Sequence, residues 1–216
     1  MELATLVLEY LKVLVWPAFS IFVLFFFRKP LSILIGRIES AALPGGVSLD
    51  FGKEAILTKE LALEVEESPQ ETPEPAPPII PKTEANQRML DLGLQPSPSG
   101  LDLERYCEQA QRDPTLALGG LAVEAEILVR NLATGFKIHA KASESTNQVL
   151  RTLRNKFAIT PAQYRLALKV IQLCEAAMRG GKVTQESAES IIDSAGALVR
   201  DYLAWLSWGF KSDWTP

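Results

Sequence analysis

The pattern of apolar and polar positions divides the chain into unlike stretches. From Leu3 to Phe27 only Glu9 and Lys12 are charged, and Val13 to Phe27 carries no charge at all. A helix of about 20 apolar residues crosses the hydrocarbon core of a bilayer, so this run predicts a transmembrane helix over about residues 6 to 27. Glu9 and Lys12 then share one face of its outer turns, where they pair or reach the interface, and Pro17 is tolerable in a membrane helix. After Pro30, Leu31, Leu34, Ile35 and Ile38 form one stripe. This predicts a short juxtamembrane helix that either lies among headgroups or self-associates, or else continues the anchor beyond a kink. Leu43 to Gly46 reads LPGG, a turn, and Val47, Leu49 and Phe51 alternate with polar residues as in a short strand.

Residues 54–67 have helix-forming composition, with Leu57, Leu61 and Val65 spaced by four and glutamates elsewhere, which predicts a short, solvated acidic helix. Residues 68–100 hold eight of the fourteen prolines. Such a stretch reads as a Pro-rich disordered linker, able to reach on the order of 100 Å if extended at ~3.1 Å per residue.

Beyond residue 100 the periodicity is helical. A helix is expected over Leu103 to Arg112. Asp113 and Pro114 then form an N-cap followed by proline at the first helical position, and Leu121, Ala125, Leu128 and Leu132 follow on one face up to Gly135. Ser145 with Gln148, and Thr160 with Gln163, are capping boxes. The second opens a helix with Ala167, Ile171, Cys174 and Met178 on one stripe, ending at Gly180 and Gly181. Thr184 caps a final helix bearing Ala188, Ile191, Ala195, Leu198, Tyr202 and Trp205. The expected fold class is all-α: an N-terminal transmembrane helix, a juxtamembrane helix and strand, a Pro-rich linker and a C-terminal bundle of about five helices. The domains fall at 1–53 (membrane anchor and juxtamembrane segment), 54–67, 68–100 and 101–216.

Charge adds orientation. Arg28, Lys29 and Arg37 follow the apolar run while Glu2, Glu9 and Lys12 precede or open it. The positive-inside rule then places the N-terminus outside and the rest in the cytoplasm, in an inner (plasma) membrane protein of single-pass topology. A cleaved signal peptide ending near Ser40, Ala41 and Ala42 fits less well, because the run is too long and Arg28 and Lys29 separate it from that site. The chain has net charge -4, one histidine and two cysteines. No stretch is basic enough to argue for nucleic acid, and the residues give no expectation of a metal, a cofactor or a histidine-based triad.

Two stretches carry resemblances. The string WP followed by FFFRKPLSILIGRIESAALPGGVSLDF resembles the N-terminal module of a group of uncharacterised bacterial single-pass membrane proteins, over about residues 10 to 53. DPTLALGGLAVEAEILVRNLA, LRTLRNKFAITPAQ and LCEAAMRGGKVTQESAESII are similar to bacterial helical domains of unknown function related to the HEPN superfamily, over residues 101 to 208. In catalytic HEPN domains an arginine and a histidine a few residues apart on one helix cut RNA. Here the corresponding stretch is Cys174, Glu175, Ala176, Ala177, Met178 and Arg179, so the resemblance implies a degenerate, HEPN-like domain.

The remaining candidates are surfaces. Arg151, Arg154 and Lys156 form a small basic patch, for RNA or anionic headgroups or as a plain solvated face. Tyr202, Trp205, Trp208, Phe210 and Trp214 crowd the C-terminus, with Trp208 and Trp214 candidates for an exposed partner site. Glu124 and Glu126 do not make a carboxylate pair, because residues two apart on a helix do not face each other. RGGKVT, at Arg179 to Thr184, reads as a helix-ending turn rather than a phosphate loop. The expected function is that of a membrane-tethered, non-catalytic helical binding module with the bilayer, a protein partner or a second copy as its contacts. The alternative is a membrane-attached HEPN-type RNA-binding protein or ribonuclease using Arg151, Arg154 and His139.

Overall fold

The structure is a computed structural model, and it describes residues 50–67, 79–208 and 210. Among the described residues there are seven helices and no strands: α1 (Phe51–Glu67), α2 (Lys82–Asp91), α3 (Glu104–Ala110), α4 (Pro114–Gly135), α5 (Thr146–Asn155), α6 (Pro161–Met178) and α7 (Gln185–Trp208). None of them is long and apolar enough to cross a membrane. The expected transmembrane run, the juxtamembrane helix, Trp214 and the first residues of the expected strand lie outside the described residues.

The expected helix starts are observed. Asp113 accepts the Leu116 N–H at 2.9 Å with Pro114 behind it, both capping boxes are closed, and Thr184 Oγ1 accepts the Ser187 N–H at 3.2 Å. Each cap satisfies donors that the first helical turn would otherwise leave open. The centre of the bundle is α4, which packs against α3, α5, α6 and α7. Leu118, Leu121, Leu150, Leu153, Leu166, Ile171, Ile191 and Leu206 are all buried within it.

Two parts of the expected organisation change. The bundle has more than about five helices, because the acidic helix belongs to it: α1 lies against α6 and α7 and buries Phe51, Ala55, Thr58, Ala62 and Val65. These positions follow i, i+4, i+7, i+11 and i+14, a core-facing stripe built largely from small residues. Thr58 is tolerated there because its hydroxyl donates to the Glu54 carbonyl at 2.7 Å. Of the anticipated stripe, Val65 is buried and Leu61 half-buried against the core while Leu57 faces solvent, and Phe51 opens a helix rather than closing a strand. Three ion pairs hold α1 in place: Glu54–Lys169, Glu64–Arg165 and Glu66–Arg200.

The second change concerns the proline-rich stretch. Within it, residues 79–100 fold onto the bundle, with Ala85, Met89, Leu94, Ser97 and Ser99 buried and α2 lying against α7. Proline cannot donate a backbone hydrogen bond, and side chains from within the segment and from elsewhere complete its bonding. The Asn131 side chain accepts from Gln95 N (2.9 Å) and donates to Gln95 O (2.7 Å), while Asn86 makes the same two bonds with Ser97 at 2.8 and 3.0 Å. The Ile80 N–H donates to Ser207 Oγ at 2.9 Å.

Candidate functional site

The interior contains one arrangement the sequence did not suggest. Glu124, on α4, is 1% exposed. A carboxylate is an acceptor-only group that needs donors when buried. It has three: Ser97 Oγ donates to one oxygen, while the Ser99 N–H (3.1 Å) and Tyr106 Oη (3.0 Å) donate to the other. Ser97 Oγ in turn accepts the Leu101 N–H at 2.8 Å. Burial, and then the Glu124 charge, push the Tyr106 hydroxyl well above the ordinary tyrosine range, so it remains a donor at neutral pH. Gly120 makes the contact possible, since a Cβ there would lie 2.5 Å from the Tyr106 ring. The chemistry of Glu124 is therefore mechanical: it fastens the turn at 97–101 to α4.

Beside it is a cavity of about 70 Å³, lined by Leu121, Leu128, Ile171, Leu198 and Tyr202, with Glu124 and Gln163 at its polar edge. Gln163 is engaged, accepting from Thr160 N (2.8 Å) and donating to Asp201 (2.7 Å). Tyr202 is buried, its hydroxyl has no aligned hydrogen-bond partner, and burial raises it above the tyrosine range, an effect that the nearby Asn131 side chain partly offsets.

Neither cysteine has the environment of a nucleophile. Burial and the carboxylates of Asp193 and Glu189 push the Cys107 thiol up to about 11. Cys174 is fully buried and pushed up to about 12, first by burial and then by Glu175. At neutral pH both are protonated thiols, the unreactive form. Among the described residues no group of His, Cys, Asp and Glu side chains could hold a metal ion. Cys174 occupies the stretch where the HEPN resemblance would place a polar residue, and Arg179 on the following turn bonds Glu175 at 3.2 Å. His139 is exposed in the loop after α4, and Arg130 is committed to Glu126 (3.0 Å) and the Glu144 carbonyl (3.1 Å).

The expected partner surface separates. Trp208 is 8% exposed at the end of α7, in a region where Phe136 meets Trp205 and Phe210 edge-on at 5.8 and 5.3 Å. It is core, as are Tyr202, Trp205 and Phe210. Arg151 and Arg154 are exposed on α5 and Lys156 on the residue that closes it. This helix packs on α4 and α6 and does not touch α7, so the basic patch and Trp208 are different places.

A second surface is apolar. Leu116 and Val123 are 58% and 54% exposed on α4, and Met178, 52% exposed at the end of α6, lies 3.7 Å from where a Cβ on Gly119 would sit. Leu116, Gly119 and Val123 recur at i, i+3 and i+7, so the three exposed side chains share one patch. No family model, curated protein or solved structure matches the chain.

Proposed function

We propose that this chain is a membrane-tethered helical module that works by binding another protein surface, a partner chain or a second copy, at the cytoplasmic face of the inner membrane. In this reading residues 1–53 contain the anchor, and residues 101–208 form a HEPN-like domain that has kept a helical architecture without the RNA-cleaving pair. The observation that carries it is the exposed apolar patch of Leu116, Val123 and Met178. Large apolar side chains grouped on a surface favour a protein contact. The charged and nucleophilic groups nearest the cavity support binding over chemistry, because Glu124 and Gln163 are occupied in holding the fold and Cys174 is a buried, protonated thiol.

The incorporation of α1 changes how the tether works. The proline-rich stretch lies after α1, so only residues 28–50 separate the expected span from the folded body. That is roughly 23 residues, at most on the order of 80 Å when fully extended and shorter wherever they are helical. The module would act near the bilayer. The test is crosslinking of the full chain in native membranes, compared with Val123→Glu and with Leu116→Glu. Loss of a crosslinked protein, or of a crosslinked dimer, from both variants supports the reading. An unchanged protein profile, or RNA as the only crosslinked species, overturns it.

A further inference from the structure

The end of α5 presents an aromatic side chain where the fold has no use for one. Phe157 is 74% exposed and has φ 58°. Its N–H bonds the Arg154 carbonyl at 3.0 Å, and the next N–H, of Ala158, bonds the Leu153 carbonyl at 2.9 Å. This is the paired closure of a helix around a left-handed residue. Three other helices end with the same pair of bonds, α2 around Gly93, α6 around Gly180 and α4 around Lys137. Glycine adopts this backbone without strain, whereas a side chain crowds its own carbonyl. At α5, as at Lys137 after α4, the chain carries that strain, and at α5 it holds a phenyl ring in water as well. Strained positions of this kind concentrate at functional sites.

The surroundings are cationic. Residues 145–174 contain five lysines and arginines and no carboxylate, in a chain of net charge -4. Arg165 and Lys169 are paired with Glu64 and Glu54 of α1. Beside Phe157 itself lie Arg154 and Lys156, both exposed. The turn is rigid, because Leu153 and Ala158 on either side of it are buried, and the Arg154 guanidinium lies 5.2 Å over the Tyr164 ring.

A single projecting aromatic among cations, on a fixed turn, matches the chemistry of an anionic bilayer surface. The ring enters the boundary between headgroups and acyl chains, and the cations meet lipid phosphates. A strand of nucleic acid calls instead for a groove with successive stacking rings. We propose that the α5 end docks on anionic lipid, with Phe157 inserted and Arg154 and Lys156 at the headgroups. The proposal rests on the tethered reading only for proximity, since a bundle held close to the bilayer engages it at high effective concentration.

The full chain reconstituted in phosphatidylcholine vesicles, with and without phosphatidylglycerol, tests this through backbone amide exchange of the segment 154–158. The expected result is exchange slowed ~10-fold by the anionic lipid, with the slowing lost in Phe157→Gly and in the Arg154→Gln, Lys156→Gln double variant. Phe157→Gly at the same time raises the thermal midpoint by ~2–4 °C as the strain is relieved, which separates lost docking from lost folding. Equal exchange in both vesicle types, or slowing that persists in Phe157→Gly, overturns the proposal. So does slowing produced by single-stranded RNA in detergent and not by lipid. An alkaline wash of neutral vesicles decides the tether separately: a chain that washes off refutes the anchor, while the lipid dependence of exchange still decides the docking.

Discussion

The interior around Glu124 and the end of α5 treat awkward residues in opposite ways. Glu124 is a charge-bearing side chain taken out of water, and two neighbouring segments supply its donors: α3 through Tyr106, the turn through Ser97 and Ser99. Phe157 is an apolar side chain left in water on a strained backbone, and nothing in the fold compensates it. A buried polar group that is completely satisfied is an instrument of folding. An exposed, strained and unrewarded one points outward, to something beyond the chain.

The comparison breaks most visibly at Glu124. Glu124→Ala leaves two hydroxyls and one N–H without their acceptor, and a loss of about 4 kcal/mol is expected, given roughly 1–3 kcal/mol for each unsatisfied buried group. Denaturant unfolding of the full chain in detergent measures it. A loss under about 1 kcal/mol would mean that the turn at 97–101 is held by something else.

Next comes alkaline pH. Cys107, Cys174, Tyr106 and Tyr202 are all acids whose folded form resists deprotonation. The unfolded chain therefore gains by releasing these protons first, and folded stability falls as pH rises. Stability should be level up to the free-thiol value of 9.0 and decline as pH passes through about 11 and about 12. Melting temperatures across that range test the sign as well as the window, and a flat profile to pH 12 would show the thiols to be solvated.

At the α5 end the expected sign reverses. Phe157→Gly should stabilise the chain by about 1 kcal/mol, since a left-handed backbone costs an L-residue roughly 1–2 kcal/mol. A destabilised variant would mean that the ring makes a structural contact after all. The smallest effect belongs to Lys156→Gln, which should leave the thermal midpoint unchanged while weakening attachment to anionic vesicles.

What the sequence made legible was local. Asp113, Ser145 with Gln148, Thr160 with Gln163, and Thr184 reach partners within three residues, so the helix starts from α4 to α7 could be read directly from spacing. The stripe on α1 was hidden because its inward positions include Ala55, Thr58 and Ala62, while the more conspicuous Ile56, Leu57 and Leu63 face outward. The folding of residues 79–100 was hidden because their prolines resemble those of a spacer, and the side chains that hold them come from Glu124 and Asn131, far along the chain. Periodicity shows that Glu124 and Glu126 do not face each other, but it does not show three donors converging on one of them. Of the surface residues, Arg151, Arg154 and Lys156 were readable as a basic patch. Phe157 was not, because its significance lies in a backbone angle.

The clasp made by α1 also gives the molecule a mechanical order. A pull on the N-terminal stretch would meet the Phe51 end first, then the Glu54–Lys169 pair, and only at the far end Glu66–Arg200. The helix would peel one turn at a time while α2 to α7 stayed folded. Placed ahead of its proline-rich stretch instead of behind it, the acidic helix becomes a fuse between whatever holds the N-terminus and the body it is attached to.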